Sequence, residues 1–477
     1  MQRVLAILFL GFAPFLLRAA DGYKIRVKLE NYKSDTLLLG YYYGDKQYLK
    51  DTAVVEKDGW FTFDGDKNLE CGVWLLVLRP DNMFVQMMIG PGSQKFSVTL
   101  DAKEPVTTFK SKDSPDNTAF YEYLGWLDKQ RKESEALRAS LTDLSKPADS
   151  ARVTKKLEEI DAEVKAYQQK TVDKHPGTMT AKIVRSALDV KIPDFPGDEK
   201  EKQLKKYLWY RAHYFDNIDV TDPCMLRSPV LHQRMVYYVD KLTVQHPDSI
   251  IQSIDYLLEK TAPTEETFKY YLIHFLNFYA KSNIVGMDAV YVHIADKYYC
   301  AGKATWAKKE DLDKICDNAA RLRPILIGKI APNIQLEKRD GTKFSLYDVD
   351  ADYTVLWFWA WDCGHCKKSS PDMAKFGKEW KDKRVKVLAV CTALSDKVPE
   401  CWKAVDEREF TDFINCVDPY MRSNYKTLYD VRSTPQLFIL DKNHEILMKR
   451  VGAEQLDEVM KEVIEMEDLK KKDGIKK

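Results

Sequence analysis

The chain has 477 residues, enough for two to four domains, and its composition of 45% hydrophobic and 12% aromatic residues is ample for packed cores. The 74 Lys and Arg residues nearly balance the 73 Asp and Glu residues, so the net charge is +1. This balance gives no electrostatic footprint for nucleic acid.

The N-terminus has the pattern of a secretory signal. Arg3 precedes an apolar run over residues 4–17, and Ala19-Ala20 offers a small-residue cleavage site. The run is too short to span a bilayer comfortably, although an uncleaved anchor is the alternative. We therefore predict a cleaved signal peptide over residues 1–20 and an exported, soluble mature protein.

Residues 21–110 have a β pattern. Residues 23–29 alternate between apolar and polar side chains, Asp58-Gly59 is a turn signal, and a Gly-Pro-Gly break occurs at residues 90–92. Strands at such regular spacing predict a small antiparallel β-sandwich. Nothing in it has the pattern of a catalytic site, so we interpret it as a structural or partner-binding module.

Residues 115–323 have helical periodicity, interrupted by prolines, and predict an all-α middle domain. His213, His232, His274 and His293 lie on predicted aromatic-rich helices as isolated histidines. We interpret them as structural rather than metal-binding.

Residues 325–469 alternate between strands and helices. An apolar strand is predicted over residues 355–360 and a second over 385–390, with a helix between them and an irregular stretch from about residue 410 to 425. Strands that alternate with helices indicate βαβ units and a partly parallel sheet, so this third domain is predicted to be α/β.

A Cys-x-x-Cys, Cys363-Gly364-His365-Cys366, lies where the first of these strands passes into the helix. The unpaired N–H groups and positive dipole end of a helix favour a thiolate on Cys363, and Cys366 is one turn further along. Thiol–disulfide exchange needs such a pair. The alternatives are a zinc half-site or two inert thiols, but a zinc site needs four ligands and the chain has no second Cys-x-x-Cys.

The chain has nine cysteines, so at least one is unpaired within it. The other seven are scattered, and we predict no disulfide framework among them but mostly small buried hydrophobic residues. Cys401 and Cys416 are a candidate pair, although connectivity cannot be read from sequence. The scattered cysteines are Cys71, Cys224, Cys300, Cys316, Cys391, Cys401 and Cys416.

Four motifs together carry a resemblance: Trp-Ala-Trp-Asp-Cys-Gly-His-Cys over residues 359–366, Gly-Lys-Ile-Ala-Pro-Asn over 328–333, Pro371, and Ser-Thr-Pro over 433–435. Roughly residues 325–465 resemble the thioredoxin fold and, more narrowly, the extracytoplasmic TlpA/ResA-like thiol–disulfide oxidoreductases. The whole chain resembles exported Bacteroidetes proteins with a β domain and a helical domain before the thioredoxin-like one. This resemblance implies a Gram-negative periplasm.

The resemblance also implies roles for single residues. Cys363 would be the attacking nucleophile and Cys366 the resolving thiol. Thr434 and Pro435 would form the cis-proline loop that pairs with the substrate backbone. The implied partners are exported proteins with thiols or disulfides and a redox partner that recycles the pair, and no metal or organic cofactor is implied.

The chain departs from the family pattern at three positions. Trp357 stands where thioredoxin has a buried acid, Ser369 where cytochrome-maturation members have a Glu, and Asp362 where a Trp is usual. Our hypothesis is that Asp362, or water, takes the proton of the resolving thiol; the alternative is that Asp362 only caps the helix entrance. A protonated His365 would favour the thiolate, whereas Asp362 would oppose it.

The sequence therefore predicts an exported thiol–disulfide oxidoreductase with a Cys-Gly-His-Cys site. A thiol peroxidase is less favoured, because Ala360 stands where a peroxidatic cysteine normally has Thr or Ser three residues earlier. A third interpretation is a non-enzymatic protein that binds a partner through its first two domains and uses the cysteines as a sensor.

Overall fold

The computed structural model describes residues 22–90, 92–140, 147–381 and 383–472, so the predicted signal peptide over residues 1–20 lies outside the described residues. None of the helices described there is long and apolar enough to cross a membrane. Contacts divide the chain into two compact units. Unit 1 contains the residues up to Thr243 together with Tyr256–Tyr270, and unit 2 contains Val244–Asp255 and the residues from Tyr271 onward.

Unit 1 begins with two sheets of four strands each, counted over the described residues, in the orders β4-β1-β7-β8 and β3-β2-β5-β6. The predicted antiparallel pairing holds except that β1 pairs with β7 in parallel. The chain builds the whole second sheet between these two strands, and such a long crossover permits parallel pairing. The strands are β1 (Tyr23–Glu30), β2 (Thr36–Tyr43), β3 (Lys46–Val54), β4 (Trp60–Gly65), β5 (Gly72–Leu78), β6 (Met83–Ile89), β7 (Lys95–Asp101) and β8 (Lys110–Lys112).

The helical region follows these sheets. Several of the prolines at which the sequence pattern breaks are the first residues of helices, where a missing N–H removes no hydrogen bond. Helices α8 and α9 each contribute residues to both units. The helices are α1 (Pro105–Thr108), α2 (Pro115–Ala139), α3 (Pro147–Lys174), α4 (Met179–Ser186), α5 (Glu199–His213), α6 (Pro223–Leu226), α7 (Pro229–Lys241), α8 (Pro247–Thr261), α9 (Glu265–Ala280), α10 (Asp288–Ile294) and α11 (Lys309–Leu322), with a π-helix at Ala295–Cys300.

The α/β region of unit 2 is built on one seven-stranded sheet, counted over the described residues, in the order β10-β9-β13-β12-β11-β14-β15. Its strands are β9 (Gln335–Glu337), β10 (Lys343–Ser345), β11 (Tyr353–Trp359), β12 (Val385–Cys391), β13 (Ile414–Val417), β14 (Gln436–Asp441) and β15 (Ile446–Lys449). Its helices are α12 (Gly364–Trp380), α13 (Val398–Glu407), α14 (Tyr425–Leu428) and α15 (Leu456–Lys472). The predicted order of β-rich, helical and α/β regions is confirmed. Strand β13 corrects the irregular stretch that we predicted there, because four residues are too few to give a periodic signal.

Strand β11 lies at the centre of this sheet, parallel to β12 and antiparallel to β14, and every one of its residues is buried. Its side chains alternate between two faces. Val355, Trp357 and Trp359 belong to the core cluster that also holds residues of α12, α13 and α15. The opposite face carries Phe358, whose ring stacks on Tyr425. A strand covered on both faces is held rigidly at the point where it ends.

The structure corrects the prediction for the scattered cysteines, since six of the nine form disulfides. The pairs are Cys71–Cys224, Cys300–Cys316 and Cys391–Cys401, while Cys363, Cys366 and Cys416 are free.

The candidate pair of Cys401 with Cys416 is therefore wrong. On β12 and β13, Val390 pairs with Cys416 and Cys391 with Val417. Because side chains alternate across a strand, Cys391 faces the core that holds Cys401, and Cys416 faces the other side of the sheet.

Candidate active site

The Cys-x-x-Cys lies at the junction between β11 and α12. Strand β11 ends at Trp359, helix α12 begins at Gly364, and Cys363 is the N-cap residue of that helix. The N–H of Cys366 donates to Cys363 Sγ at 3.3 Å. The first sulfur therefore takes the place of the side-chain oxygen that usually caps a helix, and it receives the free N–H groups of the first turn.

Cys363 is half-buried, and its pKa is lowered. Burial acts to raise this pKa, but four hydrogen bonds to the sulfur outweigh it. They come from the side chain of Thr434, from the thiol of Cys366, and from the N–H groups of Cys366 and His365. Hydrogen bonds to the charged form stabilise a thiolate, which is the nucleophilic form of cysteine.

Cys366 lies one turn further into α12 and is fully buried. Burial raises the pKa of this thiol to about 11. The hydroxyl of Ser370 donates to the Cys366 carbonyl oxygen at 2.7 Å, and that of Ser369 to the same oxygen at 3.2 Å. The two sulfurs are thus unequal: one is accessible and inclined to ionise, and the other is covered and inclined to keep its proton.

The Thr434–Pro435 peptide bond is cis, as the resemblance implied. Strand β14 begins directly after it, and Gln436 pairs with Phe358 near the end of β11, so the loop lies beside the sulfurs. In its thiol form Cys363 donates to the carbonyl oxygen of Thr434 at 3.2 Å. The Thr434 side chain also acts to lower the pKa of both thiols.

The remaining predicted site residues, Asp362 and His365, are both exposed. His365 lines a cavity of about 320 Å³ together with Trp357, Ser369 and Pro435. Trp357 and Ser369, the two positions at which related proteins have the acid that takes the proton of the resolving thiol, therefore line the same cavity. Two carboxylates that sequence reasoning did not single out, Asp372 and Glu454, also line it.

Trp357 is 1% exposed and stacks on Trp359, with ring centroids 5.5 Å apart. An indole has an N–H donor and no basic acceptor, so this position cannot accept the proton of the resolving thiol.

Sequence reasoning also missed Arg408, which follows α13. Its Nη2 donates to the carbonyl oxygen of Trp361 at 2.6 Å, and its guanidinium lies 5.4 Å from the ring centroid of Trp359. This arginine therefore holds the short loop between β11 and Cys363. The contact spans 47 residues, and no local pattern in the sequence indicates it.

These elements together define a chemical class. An accessible sulfur at a helix N-terminus, a buried thiol one turn behind it and a cis-proline loop beside both lie at one end of a mixed sheet flanked by helices. This is the arrangement of a thioredoxin-like thiol–disulfide oxidoreductase.

Comparison with known proteins gives the family. Residues 327–448 match the model of the AhpC/TSA family. The thiol-disulfide oxidoreductase ResA of Bacillus thuringiensis is 26% identical over 140 residues, which cover 29% of this chain and 78% of that protein. The ResA of Oceanobacillus iheyensis is 29% identical over 136 residues, which cover 28% of this chain and 68% of that protein. Through this domain the chain belongs to the TlpA/ResA-like thiol–disulfide oxidoreductases, as its motifs predicted.

The residues before this domain match two domain models of unknown function, DUF4369 over residues 23–120 and DUF5106 over residues 120–323. Among solved structures, a domain of a possible thiol-disulfide isomerase from Cytophaga hutchinsonii is 35% identical, with a TM-score of 0.28, and the match covers 31% of this chain and 97% of that one. A thioredoxin-like protein from Bacteroides caccae is 20% identical, with a TM-score of 0.42, and the match covers 56% of this chain and 96% of that one.

Proposed function

We propose that this oxidoreductase exchanges disulfides with exported proteins through Cys363 and Cys366, in a domain that covers residues 325–469 after a β domain (21–110) and a helical domain (115–323). The observation that carries the proposal is the inequality of the two sulfurs. Cys363 is half-buried with a lowered pKa, and Cys366 is fully buried with a pKa of about 11. An attacking sulfur needs access and ionisation, whereas a resolving sulfur has only to reach its neighbour.

The exchange proceeds in two displacements. The Cys363 thiolate attacks one sulfur of a substrate disulfide, the S–S bond breaks, and the other substrate sulfur leaves as a thiolate that takes up a proton. Cys366 then loses its proton and attacks Cys363 in the mixed disulfide, and the second substrate sulfur leaves. The substrate gains two electrons and two protons, and a dithiol redox partner must reduce the Cys363–Cys366 disulfide; the reverse sequence oxidises a dithiol.

Two further residues of the site are proposed to bind substrate. Pro435 is exposed, and Thr434 lies beside both sulfurs. A proline has no N–H, so the carbonyl groups around it are open to an extended peptide. This surface would align the backbone of a substrate next to Cys363.

Asp362 and His365 are proposed to modulate the pair, because both are exposed neighbours of Cys363 in the sequence. We expect Asp362→Asn to raise the thiolate fraction of Cys363, since it removes a negative charge, and to alter the pH profile of exchange if Asp362 also takes the proton of Cys366. The measurement is the exchange rate between pH 5 and 9 in wild type and variant. An unchanged rate and profile would exclude both roles.

The proposed compartment is the periplasm. The support is the apolar N-terminal pattern together with three disulfides besides the candidate active pair. Disulfides persist in oxidising compartments and are rare in the reducing cytosol.

The direction of exchange depends on the reduction potential of the pair. Equilibration of the full chain against glutathione, followed by thiol counting, measures it. A potential near roughly −270 mV would indicate a reductant, and one towards roughly −120 mV an oxidant or isomerase.

Trapping of mixed disulfides tests the function itself. The Cys366→Ala variant retains the attacking sulfur but cannot resolve the intermediate, so we expect it to accumulate covalent complexes with exported proteins. The matched control is Cys363→Ala, which keeps a cysteine in the same motif but lacks the accessible one.

Two results would overturn the proposal. Partners that bind both variants equally and non-covalently would indicate the partner-binding interpretation. Consumption of hydrogen peroxide by the wild type, without exchange with protein disulfides, would indicate a thiol peroxidase.

A further inference from the structure

A helix that precedes the α/β region reaches the segment before the cis-proline. In unit 2, Arg432 Nη2 donates to Asn318 Oδ1 on α11 at 2.5 Å. The Nε of the same guanidinium donates to Asp430 Oδ1 at 2.8 Å. Arg432 is two residues before Thr434, so these contacts fix the backbone that leads directly into the cis-proline loop.

The helix that carries Asn318 is itself held from the other side. The hydroxyl of Tyr291 on α10 donates to the carbonyl oxygen of Ile315 on α11 at 3.3 Å. Tyr291 is 5% exposed. Asn318 follows Ile315 by one helical turn, so this buried contact lies close to the amide that accepts from Arg432.

The helices that carry these residues are anchored within unit 2. The disulfide Cys300–Cys316 links the π-helix to α11, and Arg323 pairs with Asp296 through two hydrogen bonds of 2.7 and 3.0 Å. Helix α11 is therefore fixed to the π-helix at both ends of this segment, by a disulfide and by an ion pair.

We propose that Asn318 and Arg432 are positioning residues for peptide substrates. Helix α11, which carries Asn318, consequently supports the substrate-binding surface beside the two cysteines. The inference rests on the proposed function. The carbonyl oxygen of Thr434 lies 3.2 Å from Cys363 Sγ, so a displacement of the segment before it changes the surface on which a peptide must align. Small displacements of positioning groups have large kinetic effects.

The test uses the full chain with two disulfide substrates. One is a synthetic peptide with a single intramolecular disulfide, and the other is 5,5′-dithiobis(2-nitrobenzoate), which is too small to span the loop. For Arg432→Ala and Asn318→Ala we expect the KM of the peptide to rise about three- to tenfold with a smaller change in kcat, and the rate with the small disulfide to be retained.

Matched variants separate positioning from general damage. Arg339→Ala is the control, because the side chains of Arg339 and Arg432 are similarly exposed, at 58% and 62%, and Arg339 pairs with Asp406 instead of Asp430 and Asn318. The peptide KM of Asn318→Asp should stay close to that of the wild type, since a carboxylate still accepts from Arg432. The Arg432→Ala/Asn318→Ala double variant should raise the peptide KM no more than Arg432→Ala alone, because each single variant already removes the contact between Arg432 and Asn318.

A peptide KM equal to that of Arg339→Ala would overturn the inference. Equal losses with peptide and small disulfide would also overturn it, because they would indicate damage to the sulfurs or to the fold. If the reduced wild type exchanges with neither substrate, the proposed function fails and the inference fails with it, whereas an active wild type with unaffected variants rejects the inference alone.

Discussion

The thiols of Cys363 and Cys366 differ in pKa because they occupy different positions relative to the N-terminus of α12. Cys363 caps α12 and accepts hydrogen bonds, whereas Cys366 lies inside the helix against the core cluster. The cap lowers the pKa of Cys363 although burial opposes it, and burial dominates at Cys366. The order of attack and resolution follows from this placement.

Alkylation by iodoacetamide as a function of pH measures this difference. In the reduced protein we expect Cys363 to react with a midpoint below the ordinary value of a thiol, because its folded-state pKa is depressed and the thiolate forms as pH rises through it. Cys366 should resist until the pH approaches about 11. Mass spectrometry of the modified peptides assigns each curve. Equal midpoints for the two cysteines would show that the helix cap does not stabilise the Cys363 thiolate.

Arg408 supports the nucleophile through the loop before it. Its hydrogen bond to Trp361 satisfies a carbonyl two residues before Cys363, and loss of such a bond costs about 1–3 kcal/mol when the group stays buried. We expect Arg408→Met to lower the free energy of unfolding by about that amount and to slow the alkylation of Cys363 at pH 7. Urea denaturation and the alkylation rate are the measurements.

Lys403→Met is the control for that experiment. Lys403 lies on α13 just before Arg408, and its side chain is 68% exposed. The same replacement there should leave both quantities within about 0.5 kcal/mol and twofold of wild type. If the two variants behave alike, Arg408 has no specific role.

At the scale of elements, β11 is braced by its neighbour β12. Trp359, the last residue of β11, pairs with Cys391, the last residue of β12, and the Thr392 N–H donates to the Trp359 carbonyl oxygen at 2.8 Å. Cys391 is bonded to Cys401 on α13. This disulfide therefore ties the strand beside the candidate site to the helix that leads to Arg408.

We expect the Cys391→Ala/Cys401→Ala double variant to lose about 2–3 kcal/mol of unfolding free energy, as the chain-entropy model gives for a separation of 10 residues. The alkylation rate of Cys363 should also fall, because the support of the loop loosens. Urea midpoints are compared with and without dithiothreitol in both proteins. The prediction fails if wild type and variant have the same midpoint under oxidising conditions.

At the scale of the whole molecule, the features that depend on a short stretch of sequence were predicted correctly. The apolar run of β11, the Cys-x-x-Cys and Thr434-Pro435 lie within short windows, and the strand, the helix junction and the cis bond were found where expected. The disulfide Cys71–Cys224 spans 153 residues and the Arg432–Asn318 contact spans 114. No periodicity encodes such pairs, because they depend on how separately predicted elements pack together.

The same limit applies to a buried ion pair that joins α10 to the sheet in unit 2. Lys449 on β15 donates to Asp288, the first residue of α10, and to the Ile325 carbonyl oxygen at 2.6 Å. The two residues are 2% and 7% exposed, respectively. Removal of one partner from such a pair leaves an uncompensated buried charge, which is far more costly than loss of a surface pair.

This pair predicts how firmly α10 is held against the sheet. Lys449→Met or Asp288→Ala alone should lower the free energy of unfolding by about 3–5 kcal/mol, while Lys449→Met combined with Asp288→Leu should recover most of it, because no charge remains buried. Arg339→Met, which breaks an exposed pair with Asp406, should cost at most about 1 kcal/mol. Urea denaturation of the full chain gives all four values. Single variants no less stable than Arg339→Met would show that this buried pair does not hold α10 against the sheet.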